Sequence, residues 1–390
     1  MEIIFWIAAF LICYHFVGYG LLISFFNSIK KARIALPTLS DDDLPEVTFV
    51  VAAYNEEEII EDKISNTLAL SYPKDKLNIL FVTDGSTDSA NELISNHPEI
   101  QLEFKPTRAG KIAAVNRVMS SISTGITIFS DANVMINKDG LRNLVSHFQR
   151  NCVGIVSGEK RIFVKDSDNA AGTGEGFYWK YESFLKRNDA EWNTLVGTAG
   201  ELFAMRTHLY QPIDERTLIE DFVLSMSVAA KGYKVAYEPN AIALETASAS
   251  VEEEQKRKIR ISAGGIQAVL KLAYLLNFFK YGRLTFQYVS HRVLRWTVIP
   301  IAILMVLVFN FLLADEHWAY ELLLRLQLIC YLLAFAGYIL RNAEVKLKFL
   351  HTPYYFLFMQ ICVVLGWFKY FSGKQKVTWE KAKRAQMASA

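Results

Sequence analysis

The sequence predicts an α/β domain built on a mostly parallel, Rossmann-like sheet, with transmembrane helices at both ends of the chain. Three observations predict it. Short β-branched runs alternate with amphipathic stretches between about residues 45 and 135, the order of successive βαβ units. Polar clusters follow the C-terminal ends of these runs, where open α/β sheets bind ligands. The apolar excess of the chain lies at its two ends, in stretches long enough to cross a bilayer.

Composition narrows the field. Hydrophobic residues make up 52% and charged residues 21%, too apolar for a purely soluble protein. A formal net charge of +2 offers no global attraction to nucleic acid. The four cysteines, Cys13, Cys152, Cys330 and Cys362, are far apart and have neither metal nor disulfide spacing, which fits a reducing compartment for the central domain.

Residues 1–29 form the first expected membrane helix. Ile3 to Ile29 is almost uncharged, Glu2 precedes it, and Lys30, Lys31 and Arg33 follow. The positive-inside rule then puts the N-terminus outside and the next domain in the cytoplasm of a multi-pass inner-membrane protein. Residues 30–44 are a linker with Pro37 and the run Asp41-Asp42-Asp43. Residues 296–371 hold about three further segments, Trp296–Leu313, roughly Tyr320–Leu340 and His351–Phe371. If all three span, the basic tail 372–390, with Lys374, Lys376, Lys381, Lys383 and Arg384, lies outside against the charge rule. Either the last segment is re-entrant or interfacial, or the rule fails here. Residues 266–295 interleave Leu270, Leu276, Phe278 and Phe279 with Lys271, Lys280, Arg283, Arg292 and Arg295. That pattern suits helices lying among lipid headgroups, or a helix pair packed on the soluble domain.

The domain itself occupies 45–265. Val47–Val51 is a buried strand that leads into Ala53-Tyr54-Asn55-Glu56 and an acidic helix start. Leu77–Val82 is a second strand, followed by the turn Thr83-Asp84-Gly85-Ser86-Thr87-Asp88 and a helix from Ser89 to Asn96. A weaker strand lies near Leu102–Phe104. Gly110-Lys111 then opens a helix in which Asn116 suits packing or hydrogen bonding. Ile126–Ser130 is a strand that runs into Asp131 and Asn133. In a strand, positions i and i+2 share a face, so these two oxygen ligands suit a hard divalent cation, or simply a turn after the strand. Neither a G-x-G-x-x-G nor a G-x-x-x-x-G-K-[ST] motif is present, which disfavours a dinucleotide site and a P-loop ATPase.

Four blocks occur in order: Ala53-Tyr54-Asn55-Glu56-Glu57, Asp84-Gly85-Ser86-Thr87-Asp88, Gly110-Lys111-Ile112-Ala113-Ala114-Val115-Asn116 and Ser130-Asp131-Ala132-Asn133. Together they resemble a family 2 glycosyltransferase with the GT-A fold. The resemblance is strongest to the membrane-embedded branch that includes cellulose, hyaluronan and poly-N-acetylglucosamine synthases. It implies that Tyr54, Glu56, Asp84, Asp88, Lys111, Asp131 and Arg260 bind a nucleotide-sugar. It also implies that Asp131 and Asn133 hold Mg²⁺ or Mn²⁺. Gly200, Glu201 and Arg257 would lie on the acceptor side, and Asp221, beside Glu220, would be the catalytic base. The aromatics Phe177, Tyr178, Trp179, Tyr181 and Trp192 suit sugar stacking, core packing or the membrane interface.

Three departures qualify the likeness. Ala52 stands where the family has Pro, Asn133 where it has a second Asp, and Ile261 where processive relatives carry Trp. The implied activity is inverting transfer from a UDP-sugar to a lipid-linked or glycan acceptor. Two alternatives are a processive synthase that also moves its polymer, as a homo-oligomer or with a partner subunit, and a non-catalytic sugar-binding subunit of a synthase complex.

Overall fold

A computed structural model describes residues 1–29, 39–163, 170–246, 248, 250–340 and 348–373, without the side chains of 163, 170–178 and 348. Lys30, Lys31, Arg33, most of the linker, Arg341, Lys346 and the basic tail from Lys374 onward lie outside the described residues, as do the side chains of Phe177 and Tyr178. By packing, the chain divides into two units that interleave along the sequence. Of the described residues, 39–163 and 189–246 form one. The N-terminal helix, 170–188 and the stretches from 248 onward form the other.

The first unit is built on an eight-stranded sheet: β1 (Val47–Ala53), β2 (Leu77–Asp84), β3 (Ile100–Lys105), β4 (Ile126–Asp131), β5 (Val134–Ile136), β6 (Val153–Phe163), β7 (Leu202–Arg206) and β8 (Lys234–Thr246). Their order across the sheet is β3-β2-β1-β4-β7-β6-β8-β5. The first four pair in parallel, as the βαβ pattern predicts. β1 is buried almost throughout, as a central strand covered on both faces should be. The sheet is nonetheless mixed, because β7 runs antiparallel to β4 and β6, and β5 antiparallel to β8.

That reversal positions the site. After β1 the chain steps outward to β2 and β3, then returns to β4 on the other side of β1, a topological switch point. β1 and β4 end side by side, with Ala52 opposite Asp131. Because β7 is antiparallel, it begins at the edge where β4 ends: Ser130 pairs with Leu202, and Asp131 N–H points to Glu201 O at 3.4 Å. A parallel strand would have carried Gly200 and Glu201 to the far end of the sheet.

The second unit is helical. Among the described residues, three helices are long and apolar enough to cross a membrane: Glu2–Ser28, Trp318–Ile339 and Phe349–Phe371. The segment expected from Trp296 to Leu313 is the helix Val298–Leu313, bent by 58° from the preceding Arg283–Trp296, and the two count as a fourth span only if taken together. Polar contacts tie the first helix to a later one: Tyr320 O–H donates to Glu2 at 3.1 Å and accepts from Trp6 Nε1 at 3.1 Å. Between 266 and 295, Leu270, Tyr274, Phe278 and Phe279 are exposed. Two basic residues of this stretch do otherwise. Arg292 and Arg295 pair with the buried Glu182 at 2.5 and 3.1 Å. Burial alone would raise the Glu182 carboxyl, but Arg292, His291 and Arg295 hold it well below the usual carboxylate range.

Candidate active site

At the C-terminal edge of β2, Gly85 adopts φ +68°, and a Cβ there would lie 2.7 Å from the Arg108 side chain. Glycine therefore permits the turn that leaves Asp84 facing the crevice. Asp84 Oδ2 accepts from the backbone N–H groups of Ala109 and Gly110 at 2.8 and 2.5 Å. Its other oxygen, Oδ1, is buried without a hydrogen-bond partner, an acceptor that a ligand N–H or O–H would satisfy. Nearby, the Arg108 guanidinium stacks 3.7 Å from the Tyr54 ring. Asn55, at φ +51°, accepts from Thr87 N–H at 2.8 Å and so stitches the first two loops together. Asp88 uses its carboxylate on backbone: Oδ2 accepts from Glu57 N–H at 3.0 Å and Oδ1 from Ala90 N–H at 3.2 Å. Both contacts support the loops. Glu56 is the residue just before the Glu57–Leu68 helix, where its carbonyl accepts from Ile59 and Ile60.

The charged centre lies between β4 and two helix starts. Lys111 opens the Lys111–Met119 helix, a place where its charge opposes the helix dipole. Its Nζ is offset by Asp131 at 2.5 Å and Glu220 at 3.4 Å, all three side chains being largely buried. Burial pulls the Lys111 pKa down, but Asp131, Glu220 and Asp221 outweigh it and hold the ammonium above its ordinary range. Burial also raises the Asp131 carboxyl, which Lys111 only partly counters. Asn116, on the same helix, accepts from Tyr210 O–H at 2.6 Å and Ile213 N–H at 3.1 Å, pinning the loop over the site.

Glu220 and Asp221 begin the Glu220–Ala230 helix, where acids suit its positive end. Burial, then the neighbouring charges of Glu220 and Glu201, push Asp221 up to about 7, with Lys111 opposing. The glycine-rich block packs directly on this helix start. Gly197 has φ +88°, with the Phe222 ring where a Cβ would stand. A Cβ on Gly200 would lie 3.2 Å from Asp221 Oδ2. The glycines therefore let backbone approach the carboxylate closely.

Asp131 and Asn133 do not behave as strand neighbours, because β4 ends at Asp131 and a turn follows. Asn133 Nδ2 donates to Glu245 Oε1 at 3.1 Å, while its Oδ1 is buried without a partner. Glu245 also pairs with the buried Lys160, which reaches Glu201 at 2.5 Å. A carboxylate and an orphaned amide oxygen are hard donors, so these residues fit Mg²⁺ or Mn²⁺. Among the described residues no group of three or more acidic, His or Cys side chains gathers as a metal site, so a bound diphosphate would have to supply further oxygens.

Lys111, Asp131, Glu201, Glu220 and Asp221 thus come together. Arg257 and Arg260 lie on the Val251–Lys271 helix of the helical unit, where Arg257 makes two 2.9 Å hydrogen bonds to Glu254. Sequence reasoning missed Lys63, Lys160 and Glu245. Lys63 did leave a signal: it falls on the apolar stripe Ile60, Ile64, Thr67 of its helix.

Residues 48–212 match the family model described as glycosyl transferase family 2. The chain carries a family 2 glycosyltransferase domain. It is 28% identical over 277 residues to the poly-β-1,6-N-acetyl-D-glucosamine synthase of Staphylococcus aureus, covering 67% of this chain. The chain spans 64% of the length of that relative, just under two thirds. The synthase of the same name from Staphylococcus epidermidis is 26% identical over 308 residues, 73% of each chain. Among solved structures, mannosyltransferase PcManGT from Pyrobaculum calidifontis, in complex with GDP-Man and Mn²⁺, superposes with a TM-score of 0.71 at 20% identity. That superposition covers 95% of this chain and 100% of the mannosyltransferase. The glycosyltransferase domain therefore has the GT-A fold.

Proposed function

We propose that this glycosyltransferase transfers a sugar from a nucleotide-sugar to a lipid-linked or glycan acceptor, inverting the anomeric configuration, at the cytoplasmic face of the inner membrane. The observation that carries the proposal is the Asp221 carboxyl, pushed up to about 7 beside the Lys111–Asp131–Glu220 cluster. A carboxylate with that affinity can take a hydroxyl proton near neutral pH. Asp221 would accept the acceptor hydroxyl proton as that oxygen bonds to the anomeric carbon. The bond from that carbon to the diphosphate oxygen breaks on the opposite side, and the leaving nucleoside diphosphate keeps the electron pair. The free Asp84 oxygen would fix the base or ribose, and the Lys111 ammonium would face the growing phosphate charge. A divalent cation at Asp131 and Asn133 would offset that same charge.

The GDP-Man and Mn²⁺ of the mannosyltransferase complex support a nucleotide-sugar donor and a divalent metal. The relatives' names make N-acetylglucosamine the first sugar to test, and UDP is the nucleotide we expect to carry it. Four carboxylates and a lysine held together argue against a purely non-catalytic subunit. The test is full-length protein against a panel of nucleotide-sugars with Mg²⁺ or Mn²⁺, reading released nucleoside diphosphate. No turnover with any donor refutes the proposal. A second reading, processive synthesis with partner subunits, is favoured by the relatives' names and opposed by Ile261. Product length on a defined acceptor separates the two.

A further inference from the structure

The Glu57–Leu68 helix turns its apolar stripe into the core, and Lys63 sits on that stripe with 0% of its surface exposed. A buried ammonium is costly unless its charge is met by good partners. Those partners come from one place. Lys63 Nζ donates to Ser130 Oγ at 2.9 Å and to the Val134 carbonyl at 2.8 Å. The Phe49 ring lies under it, 5.5 Å from the centroid. Ser130 and Val134 are the residues immediately before and after Asp131-Ala132-Asn133. One turn along the helix, Asn66 grips the next strand: its Nδ2 donates to Ile136 O at 2.8 Å, and its Oδ1 accepts from Ile136 N–H at 2.8 Å.

A methionine of similar length would fill the same space without a buried charge, at the cost of the donor that Ser130 and the Val134 carbonyl share. The ammonium therefore has its use in the turn it holds. We infer that Lys63 is a positioning residue, which grips both shoulders of the Asp131–Asn133 turn and presets those two side chains for a nucleoside diphosphate and its divalent cation. The inference rests on the function proposed above. It adds a residue that touches neither donor nor metal, holds the turn through Ser130 and Val134, and sets its charge near Asp131.

The test uses full-length protein in detergent, with Mn²⁺ binding followed by electron paramagnetic resonance in the presence of UDP (or GDP, if the donor panel selects it). Lys63→Met is expected to melt within a few degrees of wild type yet bind Mn²⁺ with the nucleotide about tenfold or more weakly, as loss of a supporting contact does. KM for the donor should rise more than kcat falls. Ser130→Ala, which removes one acceptor and leaves the lysine, should weaken binding in the same direction by a smaller factor. A folded Lys63→Met protein with wild-type binding overturns the inference. So does a kcat loss with unchanged Mn²⁺ affinity. Should Lys63→Met fail to fold, Ser130→Ala decides, and unchanged binding there overturns it. Wild-type protein that binds neither nucleotide with Mn²⁺ overturns the proposed function and this inference together.

Discussion

Asp221→Asn tests the chemistry and the energetics at once. The structure raises this carboxyl from its ordinary 3.8 to about 7, chiefly through burial and then through Glu220 and Glu201. A group whose folded pKa is raised adds stability that is complete below its unfolded pKa and is lost as pH rises through the folded value. For Asp221 that window runs from about 4 to about 7, and the rise from 3.8 to about 7 corresponds to roughly 4 kcal/mol. Asparagine keeps the shape and cannot ionise. The variant should match wild type in thermal stability below about pH 4 and exceed it at pH 8, by an amount on the order of a few kcal/mol. Its turnover should fall by about 10²–10⁴, with nucleotide binding largely kept. In wild type, kcat/KM should climb with pH and level off above about 7, as the base loses its proton. Equal stability of the two proteins at pH 8, together with a wild-type rate flat from pH 5 to 8, would refute the reasoning. So would turnover retained in the variant.

Further outcomes follow from single contacts. Asn133→Asp, which restores the family's second acid, should weaken the protein by about 1–3 kcal/mol, since it replaces a donor to Glu245 with a second negative charge. Adding Glu245→Gln should recover part of that loss, a coupling that a double-mutant cycle in chemical denaturation measures. Gly200→Ala brings a methyl to 3.2 Å from Asp221 Oδ2 and should lower kcat roughly tenfold with little change in donor KM. Gly85→Ala forces a side chain into φ +68° against Arg108 and should cost about 1–3 kcal/mol, visible as a lower melting temperature and weaker nucleotide binding. Chelation with EDTA should abolish donor turnover, and added Mn²⁺ or Mg²⁺ should restore it.

The parallel half of the sheet was legible because β1, β2 and β4 are largely buried and read as apolar runs that end in polar turns. β7 was not, because Leu202–Arg206 has the same composition whichever way it runs. Its direction is a long-range outcome of pairing with β4 and β6. The carboxylates were found through their motifs, but their partners were hidden. Lys63 and Asp131 are brought together by packing between a helix and a turn, and nothing local marks Glu245 as the acceptor for Asn133. The assumption of strand alternation at Asp131 and Asn133 failed for a simple reason: the strand stops two residues short of Asn133. The basic residues near 292 looked like headgroup anchors because composition does not reveal that Glu182 lies within their reach.

That last pairing carries a consequence for how the protein is made. Glu182 leaves the ribosome 110 residues ahead of Arg292 and 113 ahead of Arg295. At roughly 5–20 residues per second, the carboxylate waits about 5–20 seconds for its counter-ions. The last two strands of the sheet, β7 and β8, the latter ending at Thr246, are synthesised within that interval. The sheet unit is therefore complete in sequence before Arg292 and Arg295 exist, and the helical unit can close around the Glu182 pairs only afterwards. A shortened chain cut after residue 265 would never supply the two arginines, leaving Glu182 in the state that a nascent chain passes through.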